Sequence, residues 1–110
     1  MAEKLYKLRY LPLFENDLSE IINYIIYQLN NKPAANDLLN KIETAIIDRL
    51  RIPESFEPYQ SAKDRKHPYY RIYVKNFIIY YVIIDDSNDE SKIMEVRRVL
   101  YSKRDKRKLV

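Results

Sequence analysis

"YYRIYVKNFIIYYVII", residues 69–84, is the stretch on which the fold turns. Its first part alternates Tyr70, Ile72 and Val74 against Tyr69, Arg71 and Tyr73, the period-two pattern of a half-buried strand. The run 77–84 is almost continuously apolar, as a central strand buried on both faces would be. Lys75-Asn76 between them reads as the turn, because asparagine tolerates a left-handed backbone in a chain without glycine. One strand face therefore carries Tyr69, Arg71, Tyr73 and Lys75. Aromatics interleaved with cations on an exposed face suit unstacked bases and phosphates, or equally another protein. The high strand propensity of tyrosine accounts for much of the same enrichment.

Outward from this stretch, the pattern changes period. On the N-terminal side, Leu18, Ile21, Ile22, Ile25, Ile26 and Leu29 fall on one face of a helix spanning about 14–30. Pro12 marks its approach and "NNKP" its end. Leu38, Leu39, Ile42, Ala45, Ile46 and Leu50 repeat the pattern over about 33–51, with Pro33 suited to the first turn. So short a connection makes the two helices an antiparallel hairpin. Residues 4–10, "KLYKLRY", alternate as a short strand, and 92–101, "KIMEVRRVLY", as the last one. The expected fold class is α+β: an N-terminal strand, an antiparallel two-helix hairpin packed on one sheet face, then a three-stranded antiparallel meander. Residues 1–101 read as a single domain and 102–110 as a basic tail.

Composition removes whole classes of chemistry. The chain of 110 residues has no cysteine and one histidine, so neither a disulfide nor a zinc site of nitrogen and sulfur ligands is expected. The absence of glycine excludes the phosphate-cradling loops and the nucleophile elbow that depend on it. No small-molecule cofactor and no metal are expected. No apolar run approaches the roughly 20 residues that span a bilayer, and the N-terminus lacks a signal-like apolar core, so no membrane partner and a cytoplasmic location are expected.

The net charge of +4 is concentrated in the tail "SKRDKRKLV", and 63–75 adds five bases against Asp64. Such a basic end favours an anionic partner. Arg97, Arg98, Lys103 and Arg104 lie on or just past the last strand. As neighbours, Arg97 and Arg98 point to opposite faces, so one of them is expected to meet the helices or a carboxylate. His67, before Pro68 in a loop, reads as a surface residue. The acidic "DDSNDES" lacks calcium-loop spacing and reads as a hairpin tip.

In order behind the helical pattern, "VKNFIIYYVIIDD" and "RVLYSKRD" resemble signature segments of the RelE/ParE superfamily of type II toxin–antitoxin toxins. The resemblance covers essentially the whole chain. It implies a growth-inhibiting toxin of a plasmid-stabilisation type system, neutralised by a cognate antitoxin protein. It further implies one of two targets: DNA gyrase for ParE-like members, or mRNA on the ribosome for RelE-like members, which act as metal-independent endoribonucleases. For the nuclease branch the resemblance points to Arg71, Arg98 and Tyr101 as catalytic residues, with Tyr69, Tyr73, Lys75, Lys103 and Arg104 binding target or RNA. That chemistry needs a proton-moving base and cations on the phosphorane-like state. Ile78 stands where the family often has an arginine. Tyr101 takes the usual His or Lys position, with an unperturbed pKa of about 10. Both departures favour the ParE-like branch. A degenerate, non-toxic binding module of the same fold is the third alternative.

Overall fold

The computed structural model describes residues 6–59, 66–88 and 91–103. In β1 (Tyr6–Tyr10), Tyr6, Leu8 and Tyr10 are half-buried while Lys7 and Arg9 face outward. The Leu11 N–H makes one further bond to the Val96 carbonyl (3.0 Å), and Pro12 opens α1 (Pro12–Asn23). Proline suits that position because the first helical N–H has no intrahelical partner to lose.

The first helix departs from the regular helix expected. Beyond Asn23 it continues as a π-helical turn, Tyr24–Gln28. The Leu29 N–H returns to the Tyr24 carbonyl and the Asn31 N–H to that of Ile25, with Asn30 left-handed at φ 49°. Ile21, Ile22 and Ile25 pack against the core while Tyr24 and Tyr27 remain exposed. In α2 (Lys32–Arg49), the Asn31 side chain accepts a hydrogen bond from the Ala34 N–H (3.2 Å), and Pro33 lies in the first turn.

The remaining strands are β2 (Tyr70–Val74), β3 (Phe77–Asp85) and β4 (Lys92–Tyr101). They form the expected antiparallel meander. The sheet order is β1-β4-β3-β2, with β1 parallel to β4, so the complete sheet is mixed. The helical hairpin carries the chain from one sheet edge to the other, and the meander returns to the first. The turn between β2 and β3 corrects one expectation: the left-handed residue is Lys75 (φ 52°), not Asn76. The Lys75 ammonium lies 2.8 Å from the Asp37 carboxylate on α2, which ties the turn to the helix layer.

Both faces of β3 are buried. Towards the helices, Ile72, Val74, Ile79, Tyr81, Met94, Val96 and Val99 pack with Phe14, Leu38, Ile42 and Ile46. Removing the side chain of Ile42 or Ile46, each essentially inaccessible, would cost about 2–5 kcal/mol. On the opposite face Tyr69, Ile78, Tyr80, Val82 and Leu100 form a second cluster. A β-bulge interrupts the β3–β4 ladder: Tyr80 pairs with Arg98 but Tyr81 pairs with Val96, leaving Arg97 over. A bulge re-aims the side chains beside it, and here those side chains are the two adjacent arginines.

Candidate functional site

Arg97 and Arg98 leave the bulge in different directions, as their adjacency led us to expect. Arg97 turns towards Glu95 (2.8 Å), which also accepts hydrogen bonds from Arg9, and its guanidinium lies 5.9 Å from the centre of the Tyr69 ring. Burial opposes ionisation of Glu95, but the hydrogen bonds from Arg97 and Arg9 outweigh it and hold the carboxyl below its ordinary pKa. Arg98 reaches α1 and binds both oxygens of Asp17, at 2.7 and 2.9 Å. The register explains why. Pairing with β1 stops at Val96, so the Val99 N–H faces an edge without a partner strand. There α1 runs alongside, and Asp17 accepts that N–H (3.2 Å) together with the guanidinium. Both side chains are largely buried, at 11% and 7% exposure.

The remaining residues singled out from the sequence disperse. Arg71 sits on the face opposite the helices, half-buried, with its guanidinium 4.5 Å from the Tyr59 ring centre and 5.5 Å from that of Tyr73. Tyr73 is 63% exposed beside it. Tyr69 shares the face but is buried in the second cluster, packed edge-on to Tyr80, so its ring is not the open stacking surface expected. Lys75 leaves the face altogether, because alternation ends at Val74 and the turn sends its ammonium to Asp37. Tyr101 pairs with Phe77, a residue of the helix-side core, and their rings meet at 5.8 Å. It lines a small niche with Asp17, Glu20 and Ile21, across the sheet from Arg71. Ile78 is 5% exposed in the second cluster, which explains an apolar residue there. Lys103 is exposed past β4, and Arg104 lies outside the described residues.

Arg71 and Tyr73 are thus brought together, and Tyr59 joins them by bridging to Tyr69 ahead of β2. Nothing local in the irregular stretch around Tyr59 signals this. Asp17 was readable in principle: it is a carboxylate three residues after Phe14 and four before Ile21, inside the apolar stripe of α1. A latch was missed as well. Arg49 at the end of α2 donates to the Tyr81 hydroxyl (2.9 Å) and the Arg71 carbonyl (3.1 Å), and covers the Phe56 ring at 3.4 Å. The Tyr81 hydroxyl in turn donates to the Pro53 carbonyl (2.6 Å), pinning the loop after α2 to the sheet. Its neighbour Tyr80 points the other way, and its buried hydroxyl finds no hydrogen-bond partner among the described residues. Burial pushes that phenol's pKa up to about 12.

A family model described as the ParE toxin of the type II toxin–antitoxin system parDE matches residues 8–106, from within β1 to beyond β4. The chain belongs to the ParE toxin family. Every helix and strand placed above lies wholly or partly within the matched span of this ParE-family toxin. Membership makes it the toxin of a type II system and implies a cognate antitoxin as partner. A comparison with curated proteins finds no match. Among the described residues, no helix is long and apolar enough to cross a membrane.

Proposed function

We propose that this ParE-family toxin arrests growth in the cytoplasm by engaging DNA gyrase through a protein–protein surface, without breaking phosphodiester bonds itself. The observation that carries this reading is the commitment of Arg98 to Asp17. A guanidinium that spends its fork on a buried carboxylate and lies mostly out of solvent is poorly placed to stabilise a phosphorane-like state. Tyr101 on the helix side and Arg71 on the opposite face do not converge on one phosphate, and Ile78 supplies no cation. What remains accessible is a recognition surface, with exposed Tyr73 and the ring-flanked Arg71. Tyrosine and arginine are the residue types enriched among the anchors of protein interfaces.

Two separate readouts after induced expression test the proposal. Growth arrest should bring DNA breaks with transcripts intact, and the purified toxin should inhibit supercoiling by purified gyrase. Position-specific mRNA cuts on purified ribosomes, lost in Arg71→Ala, would overturn it in favour of the RelE-like mechanism. Absence of any growth arrest would point to the inert binding module.

A further inference from the structure

At one end of the sheet the register leaves a carboxylate without its counter-charge. Tyr6, Lys92 and Asp85 lie opposite one another on β1, β4 and β3, so their side chains share a face. It is the helix side, because Met94 and Ile83, two positions further along their strands, pack into the helix-side core. Register alone would pair Lys92 with Asp85. Instead the Lys92 ammonium reaches Glu54 in the loop after α2, at 3.0 and 3.3 Å, and the Tyr6 hydroxyl donates to the same carboxylate (2.9 Å). The Asp85 side chain forms no salt bridge or hydrogen bond among the described residues.

Asp85 lines a cavity of about 260 Å³ whose walls come from strand ends and two loops rather than from either helix. The Glu54–Lys92 pair forms one wall, and Pro68, Tyr70 and Ile83 supply the apolar part. The Tyr70 ring stacks on that of the fully buried Tyr81 (5.2 Å between centres, 12° between planes), so this wall is flat and fixed. His67 also lines the cavity, and neither its ring nor the Tyr70 hydroxyl has a hydrogen-bond partner among the described residues. With His67 left aside, the lining holds two carboxylates against one ammonium. Glu54 neutralises Lys92, and the surplus negative charge is that of Asp85.

We infer that this cavity binds a small organic ammonium ion with a flat apolar body, taken up as a free amine rather than as a protein side chain. An ammonium carries three donors, and three acceptors here are unspent: the Asp85 carboxylate, the Tyr70 hydroxyl oxygen and a ring nitrogen of neutral His67. The flat body lies against Tyr70 and Ile83, which bury apolar surface without needing a hydrogen bond. An anionic ligand is disfavoured, because the one lysine of the lining is already neutralised and Asp85 repels it. The volume is below the range usual for a drug-sized ligand, which limits the occupant to a compact molecule. The cavity lies across the sheet from the Arg71–Tyr73 face, and the inference does not depend on the target of the toxin.

The test titrates the full-length chain with phenethylammonium, with its uncharged counterpart phenethyl alcohol and with the anion 3-phenylpropanoate, followed by two-dimensional amide NMR. The ammonium should bind saturably, shift the backbone amide resonances of His67, Tyr70 and Asp85, and weaken as salt is raised. Asp85→Asn should lower its affinity about tenfold or more, since a charge-assisted hydrogen bond is lost, with little change in thermal midpoint at this exposed strand end. Glu43→Gln, an exposed acid on α2 outside the cavity, should leave the affinity unchanged. Nα-acetyl-lysine amide, a stand-in for a protein side chain, should bind more weakly than phenethylammonium. Absence of saturable binding, equal binding of the alcohol or the anion, and shifts confined to another surface would each overturn the inference. So would an affinity unmoved by Asp85→Asn, or tighter binding of the lysine derivative. Growth arrest plays no part in these readouts, so failure here is distinguishable from failure of the gyrase proposal.

Discussion

Asp17→Ala removes the carboxylate that binds the Arg98 guanidinium, and it also strips the Val99 N–H of its acceptor. Breaking a buried pair by deleting one partner costs about 3–5 kcal/mol, because the other charge stays desolvated. The Arg98 side chain retains 11% exposure and the site lies at a sheet edge, so some water can reach the orphaned groups. The lower end, about 3 kcal/mol, is therefore the expected loss. That is a large share of the roughly 5–15 kcal/mol that holds a small domain folded. With a urea m-value of about 1–3 kcal/mol/M, the midpoint followed by circular dichroism should fall by at least about 1 M. Glu20→Ala, one helical turn away and exposed, should move it by no more than about 0.5 kcal/mol. Arg98→Met keeps most of the stem and removes the charge, so the double variant Asp17→Ala/Arg98→Met should be markedly less destabilised than the sum of the singles. A loss below about 1 kcal/mol for Asp17→Ala, or additive losses in the double variant, would refute the coupling. The same double variant separates structure from chemistry: with stability partly restored, growth arrest should return. An inactive but folded double variant would restore Arg98 as a catalytic candidate.

Other perturbations follow from the same geometry. Tyr81→Phe deletes a hydroxyl that links Arg49 to the Pro53 carbonyl and should cost about 1–2 kcal/mol in urea unfolding. Tyr80→Phe should be neutral or stabilising, since that buried hydroxyl has no hydrogen-bond partner among the described residues. Because the folded pKa of Tyr80 is pushed up to about 12, the stability it contributes is complete below about pH 10 and is lost as pH rises towards the folded value. Tyr80→Phe should therefore reduce alkaline destabilisation in a pH series of melting temperatures. Glu95 has a depressed folded pKa, so its contribution is present above about pH 4.3 and lost as pH falls through the folded value. Glu95→Gln should be less stable than wild type at neutral pH, with the difference narrowing in acid. Tyr73→Ala should leave thermal stability nearly unchanged, since its ring is exposed, and under the proposed gyrase mechanism it should weaken gyrase inhibition by tenfold or more.

Local pattern determined much of this protein. Alternation over 4–10 located the first strand, and the switch from a 3.6-residue period to a two-residue period near residue 69 separated both helices from the last three strands. The doubly apolar run 77–84 identified the interior strand, because a strand buried on both faces has no polar side to show. The segments "VKNFIIYYVIIDD" and "RVLYSKRD" carried the family resemblance. Four things were decided only in three dimensions. The position of β1 beside β4 depends on a crossover between opposite sheet edges, which no local period encodes. The π turn at Tyr24–Gln28 is invisible to local pattern, because the sequence of that segment reads as ordinary amphipathic helix. Lys75 belonged to the β2 face by alternation, yet turn geometry and Asp37 took it to the other side. Above all, the sequence ranked Arg98 by its charge and its place near the chain end. Its actual role follows from a bulge at Arg97, an edge left open where β1 stops, and a carboxylate 81 positions away. A cation's function depends on what neutralises it, and that neighbour is supplied by the packing of α1 against β4.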